Sequence, residues 1–265
     1  SSERTDETFS VLRGKFYVDD VKTATLNVLG LGFFKCYING VCINPDTFLP
    51  LSSDFEASCD PVEEVLSGHR VYVPGFDITP FVKPGDNVIA LHFGGGWYTG
   101  LVRIFGMPKA IYQVAVFENG ETKYYSSGSQ CRIGGSFVSD YVFFTHENHC
   151  YTAFSACFGE DFDDSSWDHA VLTEPLETEY CQTDCPWDTL IETLSVKKVG
   201  TGARGVVYDC GRNISGYPVL KLLADAGEQV TVIFSEAVLP SGELDMPHHH
   251  WQQFAVVSDG TERTV

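Results

Sequence analysis

The sequence is poor in basic residues and has no long apolar run. Only 17 of its 265 residues are Lys or Arg, against 36 Asp or Glu, which gives a formal net charge of −19. The largest basic cluster, Lys197-Lys198, is too small for a face that binds nucleic-acid phosphates or anionic lipids. No apolar run approaches the roughly 18 residues of a membrane-spanning helix, and the polar start Ser1-Ser2-Glu3 is unlike a secretion signal. We therefore expect a cytoplasmic protein with no nucleic-acid partner and no membrane partner.

A regular cysteine framework is also missing. The nine cysteines are odd in number and irregularly spaced. A disulfide scaffold is normally smaller and evenly counted, so this pattern favours reduced thiols that pack as small apolar side chains. Cys181 and Cys185 lie close together, but no second pair follows at the spacing of a zinc ribbon.

Three further segments are candidate metal sites, and none has the required spacing. In an extended His248-His249-His250, adjacent rings would point to opposite faces, so at most two could share an ion. His146-Glu147-Asn148-His149 lacks the helical spacing of a zincin motif. The acidic run 161–167 has neither the sixth-position Gly nor the final Glu of an EF-hand, which favours a self-capped turn with Trp167 packed inward. We predict no cofactor, with calcium as the alternative.

Alternation of apolar and polar residues dominates the chain. Gly, Pro, Asn and Asp interrupt it about every 8 to 12 residues, the pattern of an all-β sandwich or barrel. Asn39-Gly40 lies between two short strand patterns, and Asn119-Gly120 lies between two others. Such pairs favour hairpin turns because both positions tolerate a positive φ. With 43% hydrophobic residues, the chain can fill a core. The sequence therefore predicts an all-β fold.

The alternation also suggests a domain organisation. It extends over 9–160, loosens into acidic and polar residues over 161–189, and resumes over 190–265. We predict an N-terminal β-sandwich, a linker and a partial β domain in these ranges. The last range is shorter than the roughly 100 residues of a β-sandwich and would leave unpaired strand edges. We therefore expect the chain to be part of a longer protein.

The glycine-rich segment 94–100 is the main candidate for ligand binding. It lacks a downstream Lys-Ser/Thr and a βαβ context, which argues against a phosphate loop. Its glycines and the aromatic residues Trp97 and Tyr98 are suited to stacking on a sugar ring, but Trp97 is equally suited to fill the core beneath a glycine-rich bend. No carboxylate pair, nucleophile elbow or Cys/His arrangement stands in a recognisable motif, so we predict no catalytic residue.

Five blocks of sequence, taken in order, carry a family pattern. They are Tyr37-Ile38-Asn39-Gly40; Phe76-Asp77-Ile78-Thr79 with 85–89; 94–100; 162–170; and Tyr208-Asp209-Cys210-Gly211-Arg212 with 235–239 and 241–245. Together they resemble the N-terminal region of bacterial α-L-rhamnosidases of the large inverting glycoside-hydrolase family.

The resemblance implies a jelly-roll-like antiparallel β-sandwich of the carbohydrate-binding-module type, followed by part of a second, concanavalin-like β-sandwich. It implies a parent enzyme that removes terminal L-rhamnose from plant glycosides or polysaccharides, with its acid and base on a later (α/α)6 barrel. This β chain cannot contain that barrel, so we expect no activity from it alone. The implied partners are a rhamnose-containing glycoside or polysaccharide and the absent C-terminal catalytic domain of the same polypeptide.

In some members of this family the N-terminal sandwich binds rhamnose together with calcium. On that basis we predict Trp97 and Tyr98 as a stacking platform, and Asn39 and Asp77 as polar contacts to carbohydrate. The leading hypothesis is an accessory region that supports the catalytic barrel. The alternatives are an autonomous carbohydrate-binding module without an enzyme role and a small complete β-sandwich glycosidase.

Overall fold

β-strands form almost all of the regular structure in the computed structural model. The structure describes residues 10–46, 49–50, 53, 70–94, 96–99, 105–142, 146–151, 156–183, 188–202, 204–245 and 253–265. The helical elements in these ranges are a 3-10 turn, Thr79–Phe81, and a one-turn helix α1, Gly96–Thr99. None of the described helices is long and apolar enough to cross a membrane. The predicted all-β class is confirmed.

The strands fall into two compact units. The first, called the N-terminal sandwich, consists of Phe9–Ser136 and Ala156–Thr189, and the second unit contains Phe137–Ser155 and Leu190–Val265. In chain order the strands are β1 Ser10–Val18, β2 Thr23–Leu31, β3 Phe34–Ile38, β4 Val41–Cys42, β5 Arg70–Val73, β6 Gly75–Asp77, β7 Gly85–Phe93, β8 Lys109–Glu118, β9 Glu121–Ser126, β10 Arg132–Gly135, β11 Val138–Val142, β12 His146–Cys150, β13 Asp168–His169, β14 Glu179–Gln182, β15 Lys197–Gly202, β16 Gly205–Asp209, β17 Lys221–Leu222, β18 Gln229–Ile233, β19 Gln253–Val257 and β20 Arg263–Thr264.

Two antiparallel sheets form the N-terminal sandwich. The six-stranded sheet has the order β13-β10-β1-β7-β3-β4, and the four-stranded sheet has the order β6-β2-β8-β9. A separate parallel pair joins β5 and β14. The predicted sandwich is confirmed, because residues of both sheets share one core cluster.

The core of the sandwich follows from the period-two alternation of its strands. In β2 the side chains of Ala24, Leu26 and Val28 are fully buried, whereas those of Thr23 and Thr25 are exposed. Other strands also contribute alternate residues to the same cluster, such as Ile89, Leu91 and Phe93 of β7. Burial of an aliphatic side chain stabilises a fold by about 1.5–3 kcal/mol, so these positions hold the two sheets together.

Both predicted hairpin turns are present. Asn39 and Gly40 have φ of 50° and 85°, and Asn119 and Gly120 have φ of 50° and 88°. These turns join β3 to β4 and β8 to β9. Two successive residues with positive φ make the turn whose twist matches that of paired strands, so the local sequence determined these connections.

The second unit is built around a four-stranded sheet of order β11-β12-β19-β18. β12 and β19 run parallel, with His146 opposite Gln253, whereas the other two pairs in this sheet are antiparallel. Two smaller antiparallel pairs, β15–β16 and β17–β20, lie outside it. Its core cluster contains Tyr151, Leu222 and Val256. Strands from the middle and the end of the chain therefore share one sheet.

The segment 161–189, expected to be a linker, is paired with the N-terminal sandwich at two places. β13 lies beside β10, and β14 lies beside β5. The preceding segment, Phe137–Ser155, is grouped by its contacts with Leu190–Val265. The predicted domain ranges are 9–160, 161–189 and 190–265. They differ from this grouping, which follows contacts in space and not the order of the sequence, and they stay a prediction.

Candidate functional site

The glycine-rich segment after β7 places Trp97 and Tyr98 in helix α1. Tyr98 is 1% exposed and lies in a cluster with Leu29 and Leu31. Its ring stacks on that of Phe105 at a centroid distance of 5.8 Å, and burial raises the pKa of its hydroxyl. Trp97 belongs to the same helix, and its side chain lies outside the described part of the structure. Tyr98 is a core ring in this structure, and carbohydrate stacking by these two residues stays a prediction.

Asn39 is engaged in a network that holds the turn Thr79–Phe81. Its Nδ2 donates to the carbonyl of Phe81 at 2.9 Å and to Oδ1 of Asn87 at 2.8 Å. Its Oδ1 accepts a hydrogen bond of 2.8 Å from the amide of Val88. The side-chain amide of Asn39 therefore supports the fold, and its predicted contact with a sugar stays untested.

Asp77 caps the start of the same turn. Its Oδ1 accepts a hydrogen bond of 2.9 Å from the amide of Thr79. Hydrogen bonds from the Thr79 side chain and amide lower the pKa of Asp77, whose side chain is exposed. The structure thus brings Asn39 and Asp77 to the two ends of one turn, while Tyr98 belongs to a different cluster.

A buried ion pair that the sequence analysis did not identify joins β1 to the segment that follows Ser155. Arg13 is 1% exposed, and its Nε donates to Oδ2 of Asp164 at 3.0 Å. Its remaining N–H groups donate to the carbonyl oxygens of Cys157, Gly159 at 2.9 Å and Phe162 at 3.4 Å. One arginine therefore fixes a whole loop on the outer side of the six-stranded sheet.

The partner carboxylate is held by two cations. Lys15 Nζ lies 2.6 Å from Oδ1 of Asp164, whose side chain is 7% exposed. Burial acts to raise the pKa of Asp164, but hydrogen bonds from Lys15 and Arg13 outweigh it and the pKa is lowered. In the sequence, the one indication of this ion pair is a basic residue, Arg13, within the apolar pattern of β1. No residue near Arg13 in the sequence identifies Asp164 as its partner, because the two are 151 residues apart.

The turn around Asp164 confirms the interpretation of the acidic run as self-capped. Oδ1 of Asp163 accepts a hydrogen bond of 2.9 Å from the amide of Ser165. The indole of Trp167 packs on Gly134 so closely that a Cβ there would collide with the ring. Trp167 therefore faces the protein, as the sequence predicted.

A second buried carboxylate, Glu118, stabilises the end of the β8–β9 hairpin. Its Oε2 accepts hydrogen bonds from the amides of Asp19 at 2.9 Å and Asp20 at 3.2 Å. Lys123 forms an ion pair with its other oxygen, and this contact is the largest cause of the lowered pKa of Glu118. The Glu118 side chain has no solvent exposure, and its two oxygens face the amides of Asp19 and Asp20 on one side and the Lys123 ammonium on the other.

Every described carboxyl group with a shifted pKa is shifted downward. These groups are Asp77, Glu118, Asp163, Asp164 and Asp259. A glycosidase acid must be protonated near neutral pH, which requires an environment that raises its pKa. None of these five groups has that environment.

These pKa shifts predict that acid destabilises the N-terminal sandwich. The pKa values of Asp164 and Glu118 lie below the ordinary values of 3.8 and 4.5, so their contributions are complete above those values and are lost as pH falls through the lowered ones. The urea midpoint should hold from pH 7 to about 4.5 and drop as the pH is lowered further. Glu118→Gln should flatten this dependence. A midpoint independent of pH in both proteins would contradict the assignment.

The candidate metal segments give no assembled site. In the ranges that the structure describes, no three His, Cys, Asp or Glu side chains are arranged to hold a metal ion. His248-His249-His250 and Cys185 lie outside those ranges. His149 packs edge-on against Phe137 at 4.9 Å. The prediction of no cofactor and the calcium alternative both stay predictions.

The four-stranded sheet presents an exposed surface, called here the outer face. Its exposed and half-buried residues come from all four strands: Thr23, Thr25 and Asn27 on β2, Asp77 on β6, Lys109, Ile111, Gln113, Ala115 and Phe117 on β8, and Thr122, Tyr124 and Ser126 on β9. Asp77 and Lys109 are its charged members. Tyr124 is 64% exposed and Phe117 is 37% exposed. The sequence analysis missed this surface, although the alternation in β8 and β9 contained the signal.

Two family models match the chain. The α-L-rhamnosidase N-terminal domain matches residues 19–187, and the bacterial α-L-rhamnosidase concanavalin-like domain matches residues 200–265. The first match alone covers more than half of the chain. The two matched domains are the ones that the sequence blocks resemble, and they occur in the same order along the chain.

Individual relatives agree with these matches. The chain is 26% identical over 235 residues to an α-L-rhamnosidase of Streptomyces avermitilis, covering 84% of this chain and 22% of that protein. It is 27% identical over 257 residues to one from Alteromonas sp. (strain LOR), covering 89% and 26%. The solved α-L-rhamnosidase structure from Dictyoglumus thermophilum has the same fold, with a TM-score of 0.83, 22% identity, and coverage of 97% of this chain and 29% of that one. The chain spans about a quarter of the length of the curated relatives it matches, and by its two domain matches it belongs to the bacterial α-L-rhamnosidase family.

Proposed function

We propose that this chain is an accessory, non-catalytic β region of an α-L-rhamnosidase, and that it supports a catalytic (α/α)6 barrel of the same polypeptide. The observation that carries the proposal is the pair of domain matches, 19–187 and 200–265, in a chain that spans about a quarter of the length of its curated relatives. In support, hydrogen-bond donors and cations lower the pKa of Asp77, Glu118, Asp163, Asp164 and Asp259, which is the opposite of what a general acid needs. The substrate of the whole enzyme would be a rhamnose-containing glycoside or polysaccharide.

The accessory role predicts that this chain alone releases no rhamnose. Incubation with an aryl α-L-rhamnoside should give no aryl alcohol above the uncatalysed rate, because the acid and base are proposed to lie on the catalytic barrel. An α-L-rhamnosidase of full length serves as the positive control for the assay. Release that rises in proportion to the concentration of this chain would overturn the proposal and favour a complete small glycosidase.

Carbohydrate binding is the second candidate function. The partly aromatic outer face, with Tyr124 and Phe117 exposed, favours it, because sugar rings stack on aromatic side chains and their hydroxyls pair with polar groups. Rhamnose contacts by Trp97 and Tyr98, and separately by Asn39 and Asp77, remain proposals, with calcium as a proposed ligand; the Tyr98 ring would have to leave its core cluster to stack on a sugar. Titration with L-rhamnose in the presence and absence of calcium tests these contacts.

We place the protein in the cytoplasm as part of the same proposal. None of the seven described cysteines is in a disulfide. Burial raises the pKa of Cys157 to about 11, and burial also raises the pKa of Cys36 and Cys42. These thiols are therefore protonated at neutral pH and behave as small core side chains, which is compatible with a reducing compartment.

A further inference from the structure

The two asparagine–glycine turns share one backbone conformation but differ in how their side chains are held. Asn39 and Gly40 have φ of 50° and 85°, and Asn119 and Gly120 have φ of 50° and 88°. An asparagine before glycine is prone to spontaneous loss of its side-chain amide, because glycine has no Cβ to shield the backbone nitrogen that attacks the carboxamide. The contacts of each carboxamide therefore decide which turn can react.

Hydrogen bonds hold the Asn39 carboxamide at both of its ends. Its Nδ2 donates to the carbonyl of Phe81 at 2.9 Å and to Oδ1 of Asn87 at 2.8 Å, and its Oδ1 accepts from the amide of Val88 at 2.8 Å. The backbone amide of Asn39 also donates to the carbonyl of Val88 at 2.9 Å. Rotation of the carboxamide toward the nitrogen of Gly40 would break the side-chain bonds, so this turn is protected.

The Asn119 carboxamide has none of these restraints. Its side chain is exposed and makes no hydrogen bond to any residue that the structure describes. Apart from chain neighbours, a Cβ at Gly120 would have no atom within 4 Å, whereas a Cβ at Gly40 would lie 3.4 Å from Cα of Gly159. The turn joins β8 to the edge strand β9, so it can open locally without disturbing the core.

We propose that Asn119 is a site of spontaneous deamidation in the folded chain and that Asn39 is not. The backbone nitrogen of Gly120 loses its proton to solvent and bonds to Cγ of Asn119, while the Cγ–Nδ2 bond breaks and the amide leaves as ammonia. Water then opens the five-membered imide at either carbonyl carbon, which gives aspartate or, with the backbone routed through the side chain, isoaspartate. The net reaction consumes a water and releases an ammonia without redox change. It goes beyond the accessory role, because it needs neither a sugar nor a catalytic domain.

The modification adds a negative charge and, in part of the molecules, a longer backbone beside the buried carboxylate of Glu118. Glu118 precedes Asn119 and lies opposite Glu121 in the last pair of the β8–β9 hairpin. Isoaspartate adds a backbone atom to a two-residue turn whose geometry matches the paired strands. We therefore expect faster hydrogen exchange at the amides of β9 in the isoaspartate form.

The test is peptide mass mapping of the whole chain after timed incubation in warm, mildly alkaline buffer, both folded and in urea. In the folded chain, the product at Asn119 should form about tenfold or more faster than at Asn39, because three side-chain hydrogen bonds must break before Asn39 reacts. In urea the two rates should become similar, since both asparagines then precede glycine in an open chain. Labelling by an isoaspartyl methyltransferase distinguishes isoaspartate from aspartate.

Two matched variants check the assignment of the hydrogen bonds. Asn119→Asp should abolish ammonia release from its turn and leave the melting temperature nearly unchanged, because the new carboxylate is exposed. Asn39→Asp should lower the melting temperature by about 5 °C or more, since it sets a carboxylate oxygen against two acceptors, the carbonyl of Phe81 and Oδ1 of Asn87.

Three outcomes would overturn the proposal. Two of them are equal rates at the two asparagines in the folded chain and a faster rate at Asn39. The third is the absence of product at Asn119 in the folded chain when both asparagines react in urea. In that case the backbone of the turn, and not the side-chain hydrogen bonds, would control the reaction.

Discussion

Replacement of Asp164 by Ala is expected to lower the free energy of unfolding of the N-terminal sandwich by about 3 kcal/mol. The variant removes the carboxylate but leaves the Arg13 guanidinium, whose side chain has no solvent exposure, without an ionic partner. A buried charge that loses its partner costs far more than the pair contributes. Because Lys15 is half exposed and remains in contact with water, we expect a value at the lower end of the usual range.

The measurement is urea denaturation followed by tryptophan fluorescence, since Trp167 lies beside this loop with its ring centroid 5.2 Å from that of Phe162. Asp161→Ala is the control, because Asp161 is exposed and lies in the same loop, so its free energy of unfolding should change by less than about 0.5 kcal/mol. Equal midpoints for Asp164→Ala and Asp161→Ala would show that the buried pair does not anchor this segment.

Replacement of Val256 by Asp should unfold the second unit. Val256 has no solvent exposure and lies in β19, paired with His149 of β12 on one side and Val230 of β18 on the other. An unpaired carboxylate in that position costs about 4 kcal/mol or more. Because β12 and β19 share one sheet, amides in 146–150 should lose protection from hydrogen exchange together with those in 253–257.

Val219→Asp is the matched control for this experiment. Val219 belongs to the same unit but is 64% exposed, so the same substitution should change stability by less than about 0.5 kcal/mol. Amides of β2 in the N-terminal sandwich provide an internal reference and should keep their protection in both variants. If 146–150 stayed protected in Val256→Asp, the hairpin β11–β12 would not depend on the C-terminal strands.

The parts of the fold that sequence reasoning predicted are local. Asn39-Gly40 and Asn119-Gly120 specify their turns through the conformational freedom of two adjacent residues. The alternation in β2 separates buried from exposed side chains without reference to any other strand. The acidic turn that contains Asp163 and Ser165 caps itself over two residues. In each case the interacting groups lie within one short segment.

The candidate site shows the opposite behaviour. Tyr98 follows three glycines and was predicted as a surface ring for stacking, but residues from β2 enclose it, and nothing in its own segment reveals that. Tyr124 was recognised as part of a strand, and its exposure depends on which face of the sandwich β9 presents outward. Burial is decided by the pairing of distant strands, so a local pattern cannot assign it.

The sequence by itself determined the all-β class, the hairpins, and the order of the family blocks from which membership in the α-L-rhamnosidase family was inferred. Only the tertiary structure decided which charges meet and which strands share a sheet. Arg13 and Asp164 are 151 residues apart, and β12 finds its parallel partner in β19 near the end of the chain. Contacts of this kind depend on how complete sheets pack, and that is a property of the whole chain, which no single segment contains.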